Sequence, residues 1–210
     1  MINKTELLKP GNIYHVYNRA NGSEKLFISD ENYRFFMEKY IHHISPVADT
    51  FCYCLMPKHF HFLVRIKSEE DLKVNATFPE TSQTFPKFGT LEKFEPQTEK
   101  LLSKCFSNLF SSYTQAFNKQ QNRKGSLFMK NFKRKHVNDM GYLRQLVIYI
   151  HQNPVAAEIS KSPEDWPHSS YRNIISDETA PPEKDELIGW FEDKENFLSS
   201  HSKKVGQPDI

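Results

Sequence analysis

In "MPKHFHFLV", residues 56 to 64, two histidines stand one residue apart in an otherwise apolar run. Alternate side chains of a strand share a face. His59, His61, Leu63 and Arg65 therefore point one way, and Phe60, Phe62 and Val64 the other. The phenylalanine face suits a core. The imidazoles project together from the opposite surface, with Cβ atoms roughly 6.5 to 7 Å apart, close enough to converge on one ion. Two packed or hydrogen-bonded histidines give the same pattern, so metal chemistry here requires further groups. The segment "MGYLRQLVIYIHQN" (140–153) supplies candidates. At 100° per residue, Leu143, Leu146, Val147 and Ile150 form one buried stripe, and Tyr149 and Asn153, a turn apart, lie about 40° from each other on its flank. If this helix packs beside the histidine strand, a phenol and a carboxamide oxygen face the two imidazoles. Tyr149 equally suits an aromatic at a core margin, and Asn153 a C-terminal cap ahead of Pro154.

The elements that must position these groups follow from pattern. "NIYHVYNRA" (12–20) is aromatic and β-branched, ends at the turn pair Asn21-Gly22, and predicts a strand. "SDENYRFFMEKYIHHIS" (29–45) has Ser29 or Asp30 as N-cap and Tyr33, Phe36, Met37, Tyr40, Ile41 and Ile44 at helical spacing, closed by Pro46. "DTFCYCLM" and "HFHFLVRIK" flank Pro57-Lys58 as two antiparallel strands. Residues 68–98, broken by Pro79, Pro86 and Pro96, read as an irregular insertion. A helix over "EKLLSKCFSNLFSSYTQAFNKQQ" (99–121) carries Leu102, Cys105, Phe106, Leu109, Phe110, Tyr113 and Phe117 on one face. "NRKGSLFMKNFKRKHVN" reads as strand and turn. Asp139 caps the helix bearing Tyr149, and Pro154 disfavours a helical Asn153. A short helix is expected between Leu187 and Leu198. The order β-α-β-β-α-β-α predicts an α+β domain, an antiparallel sheet with helices packed on one face. The expected division is a domain over 1–175 and an acidic C-terminal tail over 176–210.

At 210 residues and 38% hydrophobic content, the chain can bury one substantial core. No run approaches the 18 apolar residues of a membrane span, and "MINKTELLKPGN" lacks a secretory apolar core, so a cytoplasmic protein is expected. Cys52, Cys54 and Cys105 are odd in number and expected to be reduced. Net charge is +2, but from Lys100 to Asn138 nine lysines and arginines stand against no acid. From Pro163 onward eleven acids face five bases. The basic block points to a polyanion met by the middle of the chain.

Five strings, "YHVYNRANG", "CLMPKHFHFLV", "GSLFMKNFKRKHV", "YIHQNPVAAEI" and "WPHSSYRN", occur in the order and approximate spacing found in the REP-associated tyrosine transposases, a branch of the HUH single-strand transposases. The chain resembles that family from about Tyr14 to Asn173. The resemblance implies a ferredoxin-like HUH palm fold, with His59 and His61 as ligands of a divalent metal, Tyr149 as the nucleophile, and Asn153 as the polar residue that assists the metal. It implies DNA contacts at Arg19 and around "FKRK" (Lys133, Arg134, Lys135), and a substrate of single-stranded DNA carrying a hairpin. Lys58 stands where the family has an asparagine before the first histidine, a departure that leaves the ligands intact and bears either on the turn or on a phosphate contact. Residues 68–98 are longer than the family pattern, and the acidic tail has no counterpart in it.

An ordinary tyrosine, with a pKa near ~10, needs activation to attack a phosphodiester. A cation beside the scissile phosphate neutralises developing charge. Two nitrogens and a carboxamide oxygen with open positions suit Mg²⁺ or Mn²⁺ better than closed structural zinc. Attack leaves a 5′ phosphate on Tyr149 and frees a 3′ hydroxyl, which permits strand transfer. The basic block, including Arg123, Lys124 and Lys130, offers phosphate contacts. Phe128 and Phe132 among those bases suit either stacking on bases or strand core. Three other readings stand beside this one: a zinc site of Cys54, His59 and His61, a non-catalytic hairpin-binding protein, and a phosphodiesterase using metal-bound water. Both a homodimer and a monomer are compatible with the sequence. His15, His42, His43, His136, His151, His168 and His201 gain no role from spacing.

Overall fold

The computed structural model describes residues 6–76, 94–176 and 182–202. Its elements run β1 (Ile13–Arg19), α1 (Asp30–Ile44), β2 (Ala48–Met56), β3 (His59–Ile66), α2 (Glu69–Ala76), α3 (Phe94–Gln120), β4 (Lys133–His136), α4 (Met140–Ala156), α5 (Tyr171–Ile175), α6 (Pro182–Gly189) and α7 (Lys194–Ser202). The strands form one antiparallel sheet in the order β2-β3-β1-β4. The α+β class and the antiparallel sheet are as expected. Among the described residues no helix is long and apolar enough to cross a membrane.

The helices occupy both faces of the sheet, where one face was expected. On the first face, Tyr14, Val16, Phe60, Phe62, Val64 and Ile66 pack against Phe36 and Tyr40 of α1 and Phe106, Leu109 and Tyr113 of α3. On the second, Phe51, Cys52, Cys54, Met56 and Leu63 pack against Leu146, Val147 and Ile150 of α4. The physical reason lies in β2, whose residues are apolar on both sides. A bulge between Thr50 and Cys52 turns Phe51 to the second face as well.

The segment expected as an acidic tail is integral to the domain where it is described. Leu187 of α6, Phe191 between the helices and Phe197 of α7 are buried in the second-face core, while the acids sit outward. Arg65 Nη1 donates to both carboxylate oxygens of Glu186, at 2.9 and 2.8 Å, tying α6 to β3. Two helices, broken at 190–193, replace the single short helix expected over 187–198.

The stretch 68–98 is partly helical. Ser68 Oγ accepts the Asp71 N–H at 3.1 Å and donates to the Asp71 carboxylate at 2.7 Å, a reciprocal cap that starts α2. Leu72 is buried and anchors it. α3 begins at Phe94, ahead of the expected Glu99, with Pro96 in its first turn, where a missing N–H costs little. Residues 77–93 of the expected insertion lie outside the described residues.

α4 also departs from expectation. Asp139 caps it, accepting the Tyr142 N–H at 2.6 Å, but the helix continues through Pro154 to Ala156 and Asn153 is helical. Asn153 and Pro154 are both buried. Tertiary packing therefore overrides the local preference, and the helix stops within a turn of the proline.

Candidate active site

β3 presents His59 and His61 on the second face, 5.2 Å between ring centroids with planes at 80°. The β1–β3 register sets Tyr17 opposite His61 and Arg19 opposite His59. α4 packs against β2 and β3 on this face and brings its flank to the histidines. The Tyr149 ring meets His61 edge-on, with centroids 5.4 Å apart and planes at 78°. Asn153 Oδ1 accepts a hydrogen bond from His59 Nε2 at 3.0 Å. Four residues from separate regions of the sequence, His59, His61, Tyr149 and Asn153, are thus brought together.

His15 joins them, a residue to which spacing gave no role. His61 Nδ1 and His15 Nε2 are 2.9 Å apart in a hydrogen bond, and the His15 ring stacks on Tyr17 with centroids 4.6 Å apart. Among the described residues His15 Nδ1 is buried without a hydrogen-bond partner. The signal for it was the alternation of "IYHVYNR", which puts Ile13, His15, Tyr17 and Arg19 on one face. Only the pairing with β3 tells which face that is.

The protonation states follow from burial. Burial, reinforced by the neighbouring His15 and His59, pushes the His61 pKa well below the usual imidazole range. Burial lowers His59 too, opposed by its bond to Asn153. His15 falls to about 3, through burial first and then the nearby Lys135 charge. The imidazoles are neutral at pH 7 and keep lone pairs for a cation. Burial raises the Tyr149 pKa above its ordinary value. The Asn153 carboxamide opposes that shift, although among the described residues Asn153 Nδ2 has no hydrogen-bond partner.

These donors fit a small divalent cation. The 3.0 Å between His59 Nε2 and Asn153 Oδ1 equals the spacing of two adjacent ligands in an octahedron with bonds of about 2.1 Å, and a cation there would take the place of the Nε2 proton, with His59 in the tautomer protonated at Nδ1. Among the described residues no group of three or more His, Cys, Asp or Glu is placed to hold a metal. That removes the structural support for a zinc site of Cys54, His59 and His61. Cys54 pairs with His61 in the sheet, but its thiol is fully buried and its pKa pushed well above normal by burial.

The site opens on a cleft of about 520 Å³ lined by Tyr17, Arg19, His59, His61, Tyr149, Lys130 and Lys133 among others. A smaller hollow of about 380 Å³ adjoins it, lined in part by Arg19, His59 and Lys58. Lys135 lies on the same face of the sheet, with its ammonium 4.7 Å from the Tyr142 ring centre. Arg123 is engaged beyond the end of α3, paired with Glu24 at 3.2 Å and bonded to Asn118, with exposed Lys124 beside it. Neither residue lines the cleft or the hollow. Arg134 is not brought to the site either. Strand alternation turns it to the first face, where it bonds Ser103 Oγ at 2.8 Å and pairs with Glu99 at 3.7 Å, its side chain 7% exposed. Phe128 and Phe132 are buried in the first-face core, so strand core is their role.

The architecture that holds this constellation is a four-stranded antiparallel sheet with helices on both faces, and its fold is shared with a solved structure. Among solved structures the chain is similar to a REP-associated tyrosine transposase bound to a REP hairpin, with a TM-score of 0.61 and 13% identity over 86% of this chain and 89% of that one. The sequence matches no protein-family profile and no curated protein.

Proposed function

We propose that this chain is a metal-dependent tyrosine transposase that nicks single-stranded DNA beside a hairpin and transfers the strand through a 5′-phosphotyrosine. The observation that carries the reading is the convergence of Tyr149 on His61 and of Asn153 on His59, beside a cleft that Tyr149 and both histidines line together with Arg19, Lys130 and Lys133. The REP hairpin bound to the neighbour supports a hairpin substrate here too.

In this reading the lysines and Arg19 hold the DNA backbone and the cleft sets the scissile phosphate against Tyr149. His59, His61 and Asn153 would hold Mg²⁺ or Mn²⁺, which would supply charge neutralisation at the scissile phosphate. An ordinary tyrosine is phenolate to about one part in a thousand at pH 7, and burial lowers that fraction further, so the step needs the phosphate's cationic surroundings. The phenolate oxygen forms the new P–O bond, the bond from phosphorus to the 3′ oxygen breaks, and that oxygen leaves as a 3′ hydroxyl after taking a proton from solvent. A second 3′ hydroxyl reverses the step on another strand. The reading places the protein in the cytoplasm, in keeping with three buried free cysteines.

The test is incubation of the protein with labelled hairpin oligonucleotides and Mg²⁺ or Mn²⁺. A protein–DNA adduct stable to denaturant is expected for the parent and not for Tyr149→Phe or His61→Ala. Cleavage without an adduct would replace this reading by a hydrolytic one. Hairpin binding without cleavage, unchanged in Tyr149→Phe, would replace it by a binding protein.

A further inference from the structure

With Phe128 and Phe132 in the core, the apolar surface offered to a nucleobase must come from elsewhere. Between them Met129 is 37% exposed. Its backbone is fixed on both sides: the Met129 N–H donates to Arg19 O at 2.9 Å, and Asn18 Nδ2 donates to Met129 O at 3.2 Å. Asn18 is buried and its Oδ1 also accepts the Arg19 N–H at 2.8 Å. One residue back, Ala20 and Phe128 form an isolated antiparallel bridge. Both polar backbone groups of Met129 are therefore used, and what it contributes to the surroundings is an unbranched thioether on a rigid base.

Met129, Arg19 and His59 line both the 520 Å³ cleft and the 380 Å³ hollow. Tyr149 lines the cleft and not the hollow, whereas Lys58 and Gly22 line the hollow and not the cleft. Gly22 has φ +61°, and a Cβ there would meet nothing within 4 Å, so that wall stands open to a ligand.

We infer that the hollow seats the nucleotide immediately 5′ to the scissile phosphate, with its base resting on Met129. The inference rests on the tyrosine-transfer reading above. In-line displacement sets the leaving 3′ oxygen opposite the attacking phenolate. The leaving strand then departs on the side that Tyr149 does not line, which is the hollow. Lys58 and Arg19 meet its phosphates there, and Met129 offers the base a polarisable contact without hydrogen-bond readout. The seat therefore accepts any base and requires that one be present.

The experiment maps the cleavage site from the parent adduct, then compares hairpin oligonucleotides lacking the base on its 5′ or 3′ side. Binding is measured with Tyr149→Phe protein, with and without Met129→Ala, so that nothing is cut. Loss of the 5′ base is expected to weaken binding roughly threefold to tenfold. Met129→Ala on the intact oligonucleotide should cost a similar factor, and Met129→Ala should add nothing once that base is gone. Met129→Leu should bind nearly as the parent does, which excludes a folding defect. Penalties that multiply, or a Met129 effect tied to the 3′ base, overturn the inference. Failure of the underlying reading is a different result, the absence of any adduct with the parent protein.

Discussion

His15→Phe separates function from stability at one position. The lost hydrogen bond to His61 joins two buried rings at 2.9 Å, and an unpaired His61 Nδ1 costs about 1–3 kcal/mol. His15 Nδ1, however, is already buried without a partner, and its removal relieves a cost of the same order. A phenyl ring also keeps the stack on Tyr17. The two effects nearly cancel, so the net change stays within about 1 kcal/mol, a melting shift of roughly 2–4 °C for a chain of this size. Metal affinity has no such compensation. For the His61 Nε2 lone pair to reach a cation, the ring proton must sit on Nδ1, where it donates to His15 Nε2. Phenylalanine cannot accept it, and loss of such an outer partner weakens metal binding about 10–100-fold. The assay is Mn²⁺ titration by electron paramagnetic resonance alongside thermal unfolding by circular dichroism. Mn²⁺ affinity within twofold of the parent would refute the reasoning.

The remaining predictions probe the cleft, the C-terminal helices and the buried histidines. Lys130→Ala should lower the slope of log Kd against log salt on single-stranded DNA by about 0.7, whereas Arg134→Ala should leave the slope unchanged and lower the melting temperature, because its guanidinium is bound to Glu99 and Ser103. Phe197→Ala, at a fully buried ring of α7, should cost about 3–5 kcal/mol in urea unfolding, and a change below ~1 kcal/mol would restore the view of this segment as a tail. His151 Nδ1 bonds His201 Nε2 at 3.0 Å, and burial lowers His151 well below 6.5 and His201 to about 4. Both are neutral when folded and take up a proton near pH 6.5 when unfolded. Their contribution is therefore full above about pH 6.5 and declines as pH falls toward 4, at up to about 1.4 kcal/mol per pH unit per histidine. His201→Gln should reduce that slope between pH 6 and 4.5 by about one proton's worth, and an unchanged slope would contradict the assignment.

Whatever depended on local period was legible in the sequence. Alternation in "HFHFLV" separates His59 and His61 from the phenylalanines, and helical spacing sets Tyr149 and Asn153 on one flank. The placement of Arg134 was legible by the same rule. In "KRKH" it points away from Lys133 and Lys135, and grouping the three by charge instead of by face misassigned it. His15 needed the register between strands more than forty residues apart, which no local pattern encodes. The docking of the C-terminal segment was hidden because net charge is an average. Leu187, Phe191 and Phe197 are buried in the second-face core, whereas Asp185, Glu186, Glu192 and Glu195 between and around them are exposed. A cap ahead of Pro154 was the alternative reading of Asn153, but Asn153 lies inside α4 and both residues are buried.

The two-sided sheet also accounts for the contrast within the site. α4 covers β2 and β3, and the second face opens toward β1 and β4, where Tyr17, Arg19 and Lys133 line the cleft. His61 and His59 stand at the border of that cover. Beneath it, burial keeps the imidazoles neutral and suited to bind a cation. Beyond it lies the cleft that Arg19, Lys130 and Lys133 help to line, where the proposed reading seats a phosphate chain. A sheet covered along its whole second face would leave the phosphate no way in, and an uncovered one would leave the imidazoles to protonate near pH 6.5 and repel the cation. The edge of α4 satisfies both demands, and it is the same edge that carries Tyr149.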